Sequence, residues 1–537
     1  VARLVSKMVA LSGFELQTWH VVIGVITLML VFRKWIGYKI IDLVTTEYRW
    51  VIIVPVVLPM SLIFNCCLHV RNRYVEWTRS APHKHGERVA TLQAQMRGRD
   101  KSQPMCTARP NWQTTNIFDA KYKATFFKAD LSGFRDVLKI DREKMTVTVE
   151  PLVTVSQMTS HLAPLGLTTA VMPELDDLTV GGLIAGFGVE TSSWEYGLFQ
   201  HICVSYDVLL ANGDLVKCSA TENPELFYTI PWSYGTVGFL VAAELKLVEA
   251  KPFVEVKYEP CFTRKEYVSL LDKRVRQGGV DFIECLAYSS DTAVVMTAKM
   301  VSKPTGSVNA IGRFYKPWFF EHVRAFLKSK DTVTEYIPLR DYYHRHTKSL
   351  FWEMGEILPF GNHPFFRYTL GWLIPPKVSF LKLTTTETLH KVYEEKHVDQ
   401  DMLVPMKDLD QCLTVFHKEW ELYPLWLCPC RIPKTPIRGL VNPVDGDADD
   451  MFIDVGAYGV PHNVHKKGYE PKSALRRVEK FVRDVKGFQA LYALTLMTRE
   501  EFQEMFDHKL YNELRKKYNC EGAFPVIYDK VSRAARA

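Results

Sequence analysis

The clearest pattern along the chain is a pair of apolar runs near its beginning. One run covers Val21 to Phe32 and the other covers Val51 to Leu68. A helix that spans a bilayer needs about 20 apolar residues, so the second run comes close to that length. The first is shorter and could be the apolar part of a signal segment, although no convincing cleavage site follows it. Either run could also be a buried core helix, but the pattern favours a membrane anchor over residues 1–70, with one or two spans.

The charges that follow the second run predict its orientation. Between His69 and Lys101 the chain has eight Lys or Arg residues against three acidic ones. An excess of positive charge beside a span is typical of the cytosolic side. We therefore expect the body of the protein to face the cytosol, after a polar linker helix over residues 71–103.

Beyond residue 103, short strand-like and helix-like segments alternate, which predicts an α+β fold. The stretch Tyr206–Gly213 indicates a strand followed by an Asn-Gly turn, and Thr498–Glu501 fits a capping box that opens a helix. Further strand-like runs are Met145–Val149, Phe253–Tyr258, Ala293–Ala298 and Met451–Val455. The Lys251-Pro252 step marks the boundary that we expect between two domains, over residues 104–250 and 251–500, with a C-terminal segment over 501–537.

Composition excludes several classes of protein. The chain has 537 residues, of which 47% are hydrophobic and 24% charged, with a net charge of +7. The basic residues do not form arginine-rich arms, so we expect no nucleic-acid partner. The 11 cysteines are scattered without a CxxC pair, which argues against disulfides and suits a reducing compartment. No His/Cys cluster has zinc spacing, so no metal is expected, and the oligomeric state is left open.

The richest motif is the glycine run from Pro173 to Gly197, PELDDLTVGGLIAGFGVETSSWEYG. Glycine lets backbone N–H groups approach a ligand closely, and successive N–H groups form a nest that binds phosphate. Many glycine runs are only turns, so the motif alone is weak. Its Asp176-Asp177 pair is an awkward neighbour for an anion, and we expect those side chains to brace the loop and turn away from the ligand.

The context of this run strengthens the phosphate interpretation. Glu150–Val153 follows a strand-like alternation, and Trp232–Leu240 contains a G-x-x-G step into a strand. Together with the glycine run, these segments resemble the FAD domain of the vanillyl-alcohol oxidase and p-cresol methylhydroxylase superfamily. The resemblance implies a two-part FAD-binding domain over residues 104–250 and a cap or substrate domain with an antiparallel sheet over 251–500. It also implies that the final segment returns to the FAD domain.

The resemblance assigns FAD contacts residue by residue. We expect the stretch before the nest, the nest itself and the G-x-x-G step to contact the cofactor. The residues concerned are Leu162, Ala163, Pro164, Leu165, Gly166, Leu167, Thr168, Thr169, Ala170, Val171, Met172, Pro173, Glu174, Leu175, Asp176, Asp177, Thr179, Val180, Gly181, Gly182, Gly186, Gly188, Trp232, Gly235 and Gly238.

Longer strings resemble one family within this superfamily. PELDDLTVGGL, YGLFQHIC, IPLRDYYHRHT, YKPWFF, QDMLVPMK and AFPVIYDK are similar to the Δ24-sterol reductase (24-dehydrocholesterol reductase) family. The resemblance covers nearly the whole chain from about Arg49. It implies reduction of the 24,25 side-chain double bond of a sterol, with FAD and NADPH, at the endoplasmic reticulum membrane. Competing readings are an alcohol oxidase on the same scaffold and a non-enzymatic sterol-binding protein.

One departure concerns the link to flavin. Oxidases of the superfamily often attach FAD through a histidine in an R-G-x-G-H-type motif. The corresponding stretch here, Arg109–Gln113, contains no histidine, and Cys106 is a poor substitute. The sequence therefore predicts non-covalent FAD.

An isolated double bond needs a proton donor as well as a hydride, and an apolar cavity that tolerates positive charge. The segment Tyr336–Trp352 concentrates titratable and aromatic side chains. Our candidates for the acid are His344, then Tyr342, then Glu284, which would need a raised pKa. The alternatives are a helix that packs its aromatics inward and, for Glu284, an ordinary ion pair. The aromatic stretch Phe360–Lys377 is either an interfacial segment that dips into the membrane or buried core.

Overall fold

The computed structural model describes residues 48–114, 120–384, 393–446 and 448–536. The predicted run Val21–Phe32 lies outside these residues. The described residues form helices and antiparallel sheets, in agreement with the predicted α+β class. The helices are α1 (Trp50–Arg79), α2 (His85–Arg97), α3 (Val155–Leu162), α4 (Val180–Ala185), α5 (Ser193–Tyr196), α6 (Pro224–Thr229), α7 (Arg264–Gln277), α8 (Phe319–Arg324), α9 (Leu339–Tyr343), α10 (Glu353–Ile357), α11 (Pro364–Thr369), α12 (Val378–Thr384), α13 (Leu409–Glu419), α14 (Pro471–Asp484), α15 (Arg499–Met505), α16 (Lys509–Lys517) and α17 (Tyr528–Val531).

The strands of the described residues lie between Met105 and Gln489. They are β1 (Met105–Thr107), β2 (Phe127–Ala129), β3 (Val137–Asp141), β4 (Thr146–Val149), β5 (Leu167–Thr169), β6 (Cys203–Leu209), β7 (Leu215–Ser219), β8 (Phe239–Glu249), β9 (Phe253–Cys261), β10 (Phe282–Ala287), β11 (Ala293–Val301), β12 (Val333–Pro338), β13 (Val398–Pro405), β14 (Leu425–Ile432), β15 (Asp450–Gly459) and β16 (Phe488–Gln489). The predicted strands β4, β9, β11 and β15 are confirmed.

The first half of the body is built on a six-stranded antiparallel sheet. Its order is β3-β4-β8-β6-β7, and β5 also pairs with β8. Strands β6 and β7 form the predicted hairpin, whose turn contains Gly213 at φ +83°. That left-handed conformation is the reason for glycine at this point of the turn. The short parallel pair β1–β2 lies outside this sheet.

The second half is built on an eight-stranded antiparallel sheet. Its order is β12-β9-β11-β10-β14-β15-β13-β16. Strands β14, β15 and β13 are neighbours in this order. Residues that are paired across them therefore project from the same face of the sheet. The predicted capping box is confirmed at the start of α15, where Thr498 Oγ1 accepts from the Glu501 N–H.

Helix α1 is apolar enough to cross a membrane. Its most apolar 18-residue window has a mean hydropathy of 2.4, and only 11% of that window is buried. A π-helical segment, Ile53–Val57, contains Pro55, which removes one backbone donor. The helix continues to Arg79, so the boundary that we expected at residue 70 falls inside it. The polar helix of the expected linker is α2, which begins at His85.

The C-terminal residues pack back onto the first sheet. The Tyr511 and Thr236 hydroxyls are 2.7 Å apart, and the Phe524 ring lies 5.2 Å from that of Phe239 on β8. The segment that contains α16 and Phe524 therefore packs against the predicted G-x-x-G step and the start of β8.

Candidate active site

A cavity of about 1310 Å³ is lined by both halves of the body. The first half contributes the glycine run and the residues that precede β8. The second half contributes one face of strands β13, β14 and β15. A cavity of this size can hold a large cofactor together with part of a substrate.

The glycine run forms one wall, and its glycines are required by close packing. A Cβ on Gly181 would lie 2.7 Å from Pro151 Cβ, and one on Gly188 would lie 2.8 Å from Phe199 Cβ. The Gly181 N–H donates to the Pro151 carbonyl (2.8 Å) and the Val180 N–H to the Val153 carbonyl (3.0 Å). These two N–H groups therefore fix the loop, and donors for a ligand must come from the rest of it.

The two aspartates of the run hold it against the second half. Arg340 Nη2 lies 3.1 Å from Asp176 Oδ2, and Lys377 Nζ lies 2.6 Å from Asp177 Oδ2. His344 also faces Asp176, with 3.5 Å between Nε2 and Oδ1. Both carboxylates therefore have cationic partners within the protein.

Four largely buried cations line the same region of the cavity: Arg109, Lys123, Lys530 and Arg536. Arg109 Nη1 donates to Thr179 Oγ1 (2.7 Å), and Lys123 Nζ donates to the Arg109 carbonyl (2.6 Å). Within the described part of the chain, their hydrogen bonds go to carbonyl and hydroxyl oxygens and none goes to a carboxylate. Burial lowers the pKa of Lys123 to about 8 and that of Lys530 to about 7.

Buried cations without a carboxylate partner are costly unless a ligand supplies negative charge. A diphosphate bound beside Thr179 would supply it, since phosphate oxygens accept charge-assisted hydrogen bonds from Arg and Lys. The side chains present therefore fit FAD. No histidine is among the described residues that line the cavity, although Cys106 is.

Many of the predicted cofactor residues line the cavity from Pro173 onward, and none of those before Pro173 does. Those that line the cavity are Pro173, Glu174, Leu175, Asp176, Asp177, Thr179, Gly181, Gly182, Gly186, Gly188, Gly235 and Gly238. The stretch Leu162–Met172 does not line it, because this stretch ends α3 and forms β5 against β8. Val180 and Trp232 are buried in the core beside the cavity.

None of the three predicted proton donors lines the cavity. Glu284 is buried on β10, where Arg345 Nε donates to its Oε1 (2.8 Å) and Trp426 Nε1 to its Oε2 (2.9 Å). Arg345 and the hydrogen bonds from His346 and Arg345 outweigh the burial of Glu284 and lower its pKa. Glu284 is thus held ionised, whereas a proton donor needs a raised pKa. Glu284 therefore matches the alternative given from the sequence, an ordinary ion pair, here with Arg345.

The other two candidates face away from the cavity. Tyr342 is buried with its ring 4.5 Å from the Arg345 guanidinium and 4.9 Å from the Phe282 ring. The Nδ1 atom of His344 lies 2.6 Å from the Glu174 carbonyl oxygen, and burial lowers the pKa of its ring. Both side chains therefore brace the wall behind the glycine run.

A different acidic group, which no local sequence pattern indicates, lines the cavity. Asp399 and Asp401 lie on β13, Tyr458 on β15 and Trp426 on β14. Asp399 is paired with Tyr458, and Gly456 is paired with both Asp401 and Trp426. Register across three strands brings these residues together although the sequence separates them, so only the fold could reveal the group.

Two tyrosines share the Asp401 carboxyl. Tyr492 Oη lies 2.6 Å from Oδ2, and Tyr458 Oη is hydrogen-bonded to Oδ1. A Cβ on Gly456 would lie 2.5 Å from Tyr458 Oη and 2.9 Å from Asp401 Oδ1. Glycine at this position therefore leaves the space that the hydrogen bond occupies. We call Asp401, Tyr458 and Tyr492 the acid–tyrosine group.

Burial raises the pKa of Asp401 to about 6, against the opposing effect of the two tyrosine hydroxyls. Burial and the neighbouring Asp401 raise the pKa of Asp399 to about 7. Among the described residues, no Lys, Arg or His forms an ion pair with either carboxyl. Two like charges in one buried site cannot both ionise easily, so a proton is retained near neutral pH.

The same wall is aromatic. The Phe351 ring lies 5.3 Å from the ring of Trp426 and 5.0 Å from that of Tyr458. All three side chains line the cavity. Aromatic faces stabilise a neighbouring positive charge, so this wall suits a reaction in which an alkene carbon becomes electron-deficient.

Comparison with known proteins agrees with this geometry. A family model described as an FAD binding domain matches residues 113–219. The Delta(24)-sterol reductase of Homo sapiens is 48% identical over 511 residues, which cover 94% of this chain and 98% of that protein. The chain belongs to the Δ24-sterol reductase family. The Delta(24)-sterol reductase of Arabidopsis thaliana is 38% identical over 533 residues, 94% of each chain. A more distant relative is the L-gulonolactone oxidase of Bos taurus, 25% identical over 200 residues, 37% of this chain and 43% of that protein.

Proposed function

We propose that this chain is an FAD-dependent reductase of the 24,25 double bond of a desmosterol-like sterol, in sterol biosynthesis, with NADPH as electron donor. The observation that carries the proposal is the single cavity that joins the cation-lined glycine run to the acid–tyrosine group and its aromatic wall. Membership of the Δ24-sterol reductase family supports the same reaction.

The FAD would be held without a covalent link. Pro173–Gly188, with Gly235 and Gly238, would contact it along the glycine wall, and Arg109, Lys123 and Lys530 would meet its phosphates. Bound FAD, once reduced, supplies the hydride for the tertiary carbon of the double bond. The protein must then supply one proton to the less substituted carbon, so that both electrons come from the hydride and the alkene gains two hydrogens.

We assign that proton to the acid–tyrosine group. When Asp401 is protonated, its carboxyl O–H donates to Tyr458 Oη, and the tyrosine O–H is then free to point into the cavity. Tyr458 gives its proton to the alkene carbon and receives the proton of Asp401. The tyrosine ends neutral, and the new Asp401 carboxylate accepts hydrogen bonds from Tyr458 and Tyr492. A relay of this kind avoids a free tyrosinate, which burial disfavours.

The remaining features of the proposal concern its setting. The FAD-binding domain would span residues 104–250 and the cap domain 251–500, with 501–537 returning to the first. The apolar α1 and the positive charges after it support attachment to the endoplasmic reticulum membrane with a cytosolic body. NADPH would reduce the flavin from the cytosol, with Lys or Arg meeting its 2′-phosphate.

An oxidase that passes electrons to oxygen is the second candidate. The partial similarity to L-gulonolactone oxidase favours it. The absence of a histidine from Arg109–Gln113 does not support the covalent flavin link that many such oxidases use. A sterol-binding protein without activity is the third candidate, and failure of the purified protein to hold FAD would favour it.

The test is an anaerobic titration of the detergent-solubilised full chain. We expect an oxidised-flavin spectrum that NADPH bleaches and that a sterol with a 24,25 double bond restores. Bleaching without recovery would reject the sterol alkene as substrate. Flavin that NADPH does not reduce, but that an alcohol reduces, would reject the reductase and favour the oxidase.

A further inference from the structure

A segment of the cap half presents large aromatic side chains to the outside. We call residues 357–384 the lip; it contains α11 and α12. Four of its aromatic side chains are exposed: Phe360 to 37%, Phe365 to 74%, Tyr368 to 67% and Trp372 to 51%. Exposed aromatic side chains so close in the chain are unusual on a surface that faces only water, and they mark interaction sites.

The charged side chains of the lip turn inward. Arg367 Nη1 donates to the Tyr315 carbonyl (2.6 Å), and Lys377 Nζ pairs with Asp177 (2.6 Å). Lys382 Nζ donates to the Asn111 carbonyl (2.9 Å). The sequence has no acidic residue between Glu356 and Glu387. The lip therefore bonds its Lys and Arg side chains to the body and presents aromatic side chains outward.

Helix α1 lies along the lip. The Trp50 ring is 5.4 Å from that of Phe360, and the Phe64 ring is 5.4 Å from that of Phe380. Between them, Ser61 Oγ accepts a hydrogen bond from the Lys377 N–H (2.7 Å). The first half of α1 therefore lies beside the body, and the depth that it reaches in a bilayer is also the depth of the lip.

Residues of α1 and of the lip together form part of the cavity wall. Phe64 and Leu68 of α1 line it together with Pro376, Phe380 and Leu383 of the lip. These five side chains are apolar, although Asn65, Arg71 and Lys377 of the same two elements also line the cavity. A sterol, which is insoluble in water, could pass along such a wall without leaving an apolar environment.

We infer that the lip inserts into the lipid bilayer beside α1, and that the substrate reaches the cavity from the bilayer between α1 and α12. Phe365, Tyr368 and Trp372 lie at the boundary between headgroups and acyl chains, where aromatic side chains are favoured. Insertion of the lip stands independently of the reaction; the sterol path rests on the proposed function.

Insertion is tested on the full chain reconstituted in phosphatidylcholine vesicles, with and without brominated acyl chains. Bromine quenches tryptophan fluorescence only within the acyl region. The measured quantity is the fluorescence lost on going from plain to brominated vesicles. We expect this loss to become smaller in Trp372→Phe, which removes the tryptophan of the lip, and to stay the same in Trp420→Phe, which removes a buried one. Equal quenched intensity in the wild type and Trp372→Phe would overturn the inference.

The sterol path is tested by the way the substrate is delivered. In Phe365→Ser/Tyr368→Ser we expect the rate with vesicle-borne sterol to fall roughly tenfold, and the rate with cyclodextrin-delivered sterol to stay unchanged. The control Leu215→Ser removes an exposed apolar side chain from β7, far from the lip, and should change neither rate. Equal losses by both routes would contradict the path. A wild type that reduces no sterol would reject the function and leave the quenching result to decide insertion.

Discussion

Two buried acidic clusters of the molecule differ in whether a cation lies among their carboxyls. In the first, Glu174, Glu190 and Glu284 surround one guanidinium, that of Arg345. In the second, Asp399 and Asp401 lie together with tyrosine hydroxyls and, among the described residues, with no cation. The comparison teaches that burial alone does not make a carboxyl into an acid catalyst. Glu284 has a cationic partner and does not line the cavity, whereas Asp401 lines it and, among the described residues, has no cation beside it.

The Arg345 cluster is a structural device. Its guanidinium holds Glu284 ionised and also donates to Glu190 Oε1 (3.1 Å). One cation cannot neutralise three carboxyls, so burial raises the pKa of Glu174 to about 8 and also raises that of Glu190. The cluster joins the glycine run, β10 and the segment after α9, and therefore ties the two halves of the body together.

The largest effect that would sharpen this comparison is the loss of Arg345. Arg345→Met leaves Glu284 buried without its guanidinium partner, and removing one member of a buried pair costs about 3–5 kcal/mol. We expect that loss in the free energy of unfolding, measured by urea denaturation in detergent. The matched control is Arg340→Met, whose pair with Asp176 is half exposed and contributes about 0–1 kcal/mol. A loss below that of the control would show that the cluster does not hold the halves together.

A smaller effect is expected from Gly456→Ala in the second cluster. The added methyl would lie 2.5 Å from Tyr458 Oη, so the hydrogen bond to Asp401 must break or the strands must shift. Overpacking of this kind costs about 1–3 kcal/mol. We expect sterol reduction to fall while the flavin spectrum is kept. The control for both the free energy of unfolding and the rate of sterol reduction is Gly86→Ala, where a Cβ would meet nothing within 4 Å. An unchanged rate of sterol reduction in Gly456→Ala would show that the hydrogen bond between Tyr458 and Asp401 is not needed for the reaction.

The most gradual effect is a dependence of stability on pH that comes from Glu174. Its folded pKa of about 8 is above its ordinary value of 4.5, so the folded state binds more protons in between, and stability falls as pH rises through that window. One such group gives at most about 1.4 kcal/mol per pH unit. Denaturation across this range should show a shallower fall in Glu174→Gln than in the wild type. Parallel curves would mean that Glu174 is ionised by Arg345 in the same way as Glu284.

Sequence reasoning reached the scaffold and one wall of the site. The glycine run, the Asn-Gly hairpin and the capping box at Thr498 are local patterns, and short-range physics decides them. The stretch Tyr336–Trp352 attracted attention because titratable side chains are concentrated there, but the fold uses Arg345 to neutralise Glu284 and turns Tyr342 into the core. The acid–tyrosine group depends on the register of β13 and β15 and on Tyr492, far away in the chain. No local pattern encodes such a meeting.

The most direct test of the account is a single turnover of the flavin-loaded, detergent-solubilised protein, reduced with dithionite and mixed with a sterol that has a 24,25 double bond. We expect reoxidation of the flavin to slow by about 10²–10⁴-fold in Asp401→Asn and Tyr458→Phe, the range of general acid catalysis. Flavin binding and its spectrum should be unchanged. Tyr343→Phe, which removes a buried hydroxyl that bonds to Thr168 away from the cavity, should react at the wild-type rate. Reoxidation of Asp401→Asn and Tyr458→Phe at the wild-type rate would contradict the account, because the proton would then come from elsewhere.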